Sequence, residues 1–171
     1  MIDVPVPILG TAAVLALLAA SAFFSATEIA VFSLPTEWIA EAASGEDNRS
    51  RALATLRSDP HRLLVTLLVG NNLVNVALSA VVTLGVASVL PPGEAALVAT
   101  ALATTLILVF GEIIPKSYGL GHAEAWSLTS ARPLALLGMV LFPAVLVFDL
   151  VTRRLGVLVG GSAEIEQPYT D

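Results

Sequence analysis

The sequence predicts an all-α integral membrane protein: three transmembrane helices plus shorter helices at the membrane interface. Three observations predict it. Of the 171 residues 56% are hydrophobic and 13% charged, with a mean hydropathy of +0.86, whereas soluble domains carry about a quarter charged residues. Three apolar stretches, at about 8–34, 63–90 and 95–116, are each long enough for the roughly 20 residues that cross a bilayer. The charges are also bunched, nine of them falling between Leu34 and Leu63. With no cysteine, disulfides, thiolate metal sites and cysteine nucleophiles are excluded. Two histidines are too few for a histidine-based metal centre. A net charge of -6 argues against nucleic acid as a partner.

The first span, about 8–34, opens without the basic residues of a signal peptide, and its apolar run exceeds the roughly 7 to 15 residues of a signal h-region. It is read as a retained helix that Pro35 closes. Its one charge is Glu28, and Ser21, Ser25 and Glu28 share a helix face at i, i+4 and i+7. Residues 36–58 read as two short helices around Gly45-Glu46-Asp47-Asn48. Trp38, Ile39, Leu53 and Leu56 give them apolar faces, while Arg49, Arg51 and Arg57 suit lipid headgroups. They are expected in the interface, the alternative being a solvated hairpin.

Asp59-Pro60 is a strong helix start, a cap followed by proline at the first helical position. The second span, about 63–90, has no charge but is polar at its middle: Gly70, Asn71, Asn72, Asn75 and Ser79. A single asparagine in a membrane helix serves as glue through an interhelical hydrogen bond. Three within five residues look like the lining of a site. Pro91-Pro92-Gly93 is a tight turn, and Glu94 suits the positive end of the third span. Tyr118, Gly119, Gly121, His122 and Trp126 read as a loop and an interfacial anchor. Residues 133–152 are apolar but are flanked by Arg132 and Arg153-Arg154 and interrupted by Pro143 and Asp149. By the positive-inside rule both flanks belong to the cytoplasm, so this segment is expected to lie on or dip into that face. A membrane domain over 1–159 then leads into a polar tail, 160–171.

The chemistry concentrates in Gly111-Glu112-Ile113-Ile114-Pro115-Lys116. A carboxylate in hydrocarbon costs several kcal/mol and marks an ion or substrate path. Pro115 lacks an N–H for the Gly111 carbonyl, and in lipid that oxygen needs protein, water or a cation as partner. Ser21, Ser25, Asn71 with its neighbours, Glu112 and the Gly111 carbonyl together supply five or six hard oxygens and one negative charge. Such a set suits Mg²⁺, Ca²⁺ or Na⁺ over zinc or copper. Glu28, Asn72, Asn75 and Pro115 are further candidates for the lining. The alternative role for Glu112 is an ion pair with Lys116, one turn away. No His-Glu-x-x-His motif or activated serine accompanies Glu112, so an enzyme is not expected.

Three stretches, Ser21-Ala22-Phe23-Phe24-Ser25-Ala26-Thr27-Glu28, Leu68-Val69-Gly70-Asn71-Asn72-Leu73-Val74-Asn75 and Gly111 to Lys116, resemble in order the signature motifs of the CNNM/CorC magnesium transporter family. The resemblance implies a dimeric three-span domain with a belt of juxtamembrane helices, an outside N-terminus and a cytoplasmic C-terminus. It further implies a Mg²⁺ site at the positions matching Ser21, Ser25, Gly70, Asn71 and Glu112, with sodium-coupled export in a cell membrane. Members of that family continue into cytoplasmic CBS modules that bind ATP. A different functional class remains open, a non-transporting Mg²⁺ sensor or regulator.

Overall fold

A computed structural model describes residues 6–159, and every described element is helical. The order is α1 Val6–Ser33, α2 Thr36–Ala43, α3 Asn48–Arg57, α4 Pro60–Ala87, α5 Pro92–Leu106, a π-helical segment Ile107–Ile113, α6 Ile114–Gly121, α7 Ala123–Val140 and α8 Phe142–Val159. Three continuous rods, Ile8–Ser33, Pro60–Ala87 and Pro92–Gly121, are long and apolar enough to cross a membrane. The expectations near Asp3 and for the tail 160–171 lie outside the described residues.

Local chemistry sets the helix ends. Pro35 occupies the N-cap of α2 in extended backbone. Asp47 caps α3 by accepting from Arg49 N at 2.8 Å. Asp59 caps α4 by accepting from Arg62 N at 3.0 Å, with Pro60 opening the helix. Each capping carboxylate satisfies one of the amides a helix start leaves without an internal partner.

α1 is the central rod, packing on α4, on α6 with the π segment, and on α7. Two apolar clusters bracket its middle. One gathers Phe24, Val31, Leu34, Ile39, Leu53, Leu67 and Leu134 from α1, α2, α3, α4 and α7. The other gathers Leu78, Val82 and Ala103, with Leu17 and Leu18 of α1 against them. Ser21 lies between the clusters on α1, as Asn71 and Asn75 do on α4. The stripe Ala95, Ala99 and Ala103 is buried inside the subunit, where α5 meets α4. Ala12 and Ala16 remain exposed.

The structure corrects the sequence reading in two places. Tyr118, Gly119 and Gly121 belong to helix α6 and Trp126 to α7, with His122 as a one-residue break. Gly119 serves close packing and not a turn: it is buried against α1, where a Cβ would run into the Ala26 carbonyl oxygen. Trp126 donates its indole N–H to Thr27 Oγ1 at 3.1 Å. The second correction concerns 133–152. Pro133 lies inside α7 and starts no helix, and the break comes at Leu141, where α7 and α8 meet at 72°. Pro143, in the first turn of α8, needs no intrahelical N–H partner there. Arg62 of α4 sits over the Phe142 ring, 5.3 Å from its centroid, at this elbow.

Candidate cation site between the spans

The site forms where α1, α4 and the π segment come closest, and glycine makes the approach possible. A Cβ on Gly111 would stand 2.6 Å from Ser21 Oγ, and one on Gly70 would stand 2.5 Å from two atoms of the Phe24 ring. Both lie inside van der Waals contact, so neither position has room for a side chain. The π segment adds to this. Its wider turn is common at functional sites inside α-helices, and its end is marked by Ile114 N donating to Val109 O, five residues back. Pro115 follows at once, buried and without an N–H to return to Gly111.

Ser21, wholly buried, is the hub. Its hydroxyl lies 2.7 Å from Asn75 Oδ1 and 3.4 Å from Asn71 Oδ1 on α4, and 3.5 Å from the Gly111 carbonyl oxygen. All three are acceptors, and a serine hydroxyl has one proton to give. Asn75 Nδ2 donates to Glu112 Oε1 at 3.4 Å. The cluster therefore joins all three rods through Ser21, Asn71, Asn75, Gly111 and Glu112. One turn further along α1, the Ser25 hydroxyl is wholly buried and has no hydrogen-bond partner among the described residues. Buried hydroxyls are normally paired.

Not every candidate joins the cluster. Asn72 is exposed and donates to the Leu68 carbonyl of its own helix at 2.8 Å. Glu28 is taken by Lys116, 3.4 Å away, so Lys116 does not pair with Glu112. Gly70 packs under Phe24 and, with Ala20, Leu73 and Leu137, lines an open apolar groove. The Phe24–Gly70 and Gly119–Ala26 contacts escape sequence reasoning, although Gly70, a glycine set in an apolar span, was an available signal.

Fold and site together define a multi-pass α-helical membrane domain with one polar oxygen cluster between its three spans. The profile of the cyclin M transmembrane N-terminal domain matches residues 12–171, and the chain belongs to this CNNM family. It is 37% identical over 129 residues to a putative DUF21 domain-containing chloroplastic protein of Arabidopsis thaliana, covering 75% of this chain and 19% of that protein. It is also 32% identical over 148 residues to a UPF0053 protein of Haemophilus influenzae (86% of this chain, 35% of that one). A UPF0053 inner membrane protein of Escherichia coli is 30% identical over 145 residues (85% and 34%). The chain thus spans about a fifth of the plant relative and about a third of the bacterial ones.

Proposed function

We propose that the chain is the membrane domain of a magnesium transporter, a sodium-coupled exporter working as a homodimer, whose Mg²⁺ passes through the cluster of Ser21, Ser25, Asn71, Gly111 and Glu112. The observation that carries this reading is the convergence of three oxygen acceptors on one hydroxyl. Acceptors crowded together without enough protons repel one another, and a cation relieves that repulsion. Octahedral Mg²⁺ holds its ligands at about 2.0 to 2.1 Å, which sets neighbouring oxygens about 2.9 Å apart. The 2.7 to 3.5 Å separations around Ser21 fall near that value. The unpaired Ser25 hydroxyl offers one more neutral oxygen, and Glu112 supplies the charge. Gly70, placed by the family pattern among the ligands, contributes here by letting α1 and α4 close.

Reconstitution into liposomes loaded with a Mg²⁺-sensitive dye tests the proposal. Flux from the wild type that requires Glu112 supports transport. Saturable Mg²⁺ binding with no flux supports the sensor reading instead.

A further inference from the structure

We infer that Asn75 is a positioning residue that sets the orientation of both Ser21 and Glu112, and so ties the geometry of the cation cluster to the packing of all three spans. The inference rests on the reading of the cluster as a Mg²⁺ site and goes beyond it. The Asn75 side chain bonds side chains of both other rods: Ser21 on α1 at 2.7 Å and Glu112 on the π segment at 3.4 Å. Its orientation follows from chemistry. An ionised carboxylate only accepts hydrogen bonds, so the amide atom facing Glu112 is Nδ2. That leaves Oδ1 for Ser21, whose hydroxyl must then donate. One amide orientation therefore directs the Ser21 proton toward Asn75 and leaves the serine lone pairs free for a cation. An amide nitrogen has no lone pair available for a cation, because it is delocalised into the carbonyl. Toward Glu112, Asn75 thus acts as a hydrogen-bond donor and not as a ligand.

The backbone holds Asn75 in place. Its carbonyl accepts from Ser79 Oγ at 2.8 Å, and Leu78, one turn on, is wholly buried in the cluster with Val82 and Ala103. Groups that orient metal ligands in this way are typically worth about 10- to 100-fold in metal affinity.

The test uses the intact chain in detergent and reads the Mg²⁺ concentration that gives half-maximal thermal stabilisation. Asn75→Ala, and Asn75→Leu as a variant of similar volume, are expected to raise that concentration about tenfold. In a Glu112→Asp background, which keeps the charge but draws the carboxylate back by one methylene, adding Asn75→Ala is expected to raise it less than about threefold further, since residues acting through one contact are not additive. In Mg²⁺-free buffer, Ser21→Ala and Asn75→Ala together should lower the melting temperature by less than their separate effects summed, because they share one hydrogen bond. A lowered melting temperature with an unchanged Mg²⁺ midpoint makes Asn75 a packing residue and overturns the inference. So does a full tenfold effect in the Glu112→Asp background. A wild type showing no saturable Mg²⁺ stabilisation overturns the reading of the cluster itself, and the Mg²⁺-free arm still decides whether Asn75 couples the helices.

Discussion

Lys116 reaches from α6 to Glu28 on α1 across 3.4 Å, while Glu112, one turn earlier, is held by Asn75 of α4. The basic residue nearest to Glu112 in sequence is thereby committed elsewhere. Glu112 lies at the junction of three helices with Asn75 as its hydrogen-bond partner.

Glu112→Gln is therefore expected to abolish Mg²⁺ flux and leave the fold intact. The amide keeps the shape and can still bond Asn75, but the charge is gone. Losing about 3 kcal/mol of attraction weakens binding by more than a hundredfold. Circular dichroism should be unchanged while Mg²⁺-induced stabilisation disappears. A variant that melts earlier but retains both flux and Mg²⁺ stabilisation would show Glu112 to be structural.

The close approaches predict an ordered series of glycine replacements. Gly111→Ala places a methyl group 2.6 Å from Ser21 Oγ, and Gly70→Ala places one 2.5 Å from the Phe24 ring. Overpacking of this kind costs about 1 to 3 kcal/mol. Gly85→Ala meets nothing within 4 Å and should be neutral or stabilising, since alanine is the better helix former. Only Gly111→Ala displaces a cluster oxygen directly, so it should weaken Mg²⁺ binding more than Gly70→Ala does. Equal melting temperatures for all three variants would refute the packing described.

Topology is testable without background because the chain has no cysteine. The arginines of α3 and of the α4 start, against their absence from the Pro91-Pro92-Gly93 turn, predict that this turn faces outside. A membrane-impermeant thiol reagent should label Glu94→Cys in intact cells and spare Asp47→Cys. The reverse pattern would invert the arrangement.

The Glu28–Lys116 pair should matter little to stability. Its side chains are 26% and 43% exposed, so solvent screens the attraction to at most about 1 kcal/mol. Glu28→Gln should leave Mg²⁺ affinity within about twofold of wild type, the effect of removing a partly screened pair. A larger loss, recovered on exchanging the two charges, would instead bring the pair into the ion path.

Much of this was legible in the sequence for physical reasons. Long charge-free runs have few options but to span, and Asp59-Pro60 offers both a capping carboxylate and a proline suited to the first helical position. The helical period sets Asn71 and Asn75 on one face, but the sequence did not choose among the three asparagines; packing brings Asn71 and Asn75 to Ser21 and leaves Asn72 exposed. The identity of charge partners was less legible: Lys116 can reach Glu112 along its own helix, and only the packing of α6 on α1 offers it Glu28. Nor could Gly119 be told from a loop glycine, since a glycine that admits a neighbouring backbone is written like one that permits a turn.

The π segment has a consequence for how the third rod meets its neighbours. Its buried positions recur at every fourth residue on either side of the half-buried Ile107: Ala95, Ala99 and Ala103 before it, Gly111, Pro115 and Gly119 after it. In an unbroken α-helix every fourth residue advances about 40° around the axis, so such a line winds off to the far side. The wider turn between Ile107 and Ile113 shifts the phase the other way. The alanines thus meet α4 while the glycines and Pro115 meet α1. Rewinding Ile107–Ile113 as α-helix with no residue removed would rotate everything beyond it by about 100°. The rod would keep its length and greasiness yet present the wrong side to α1, as a key cut correctly but one notch out of phase.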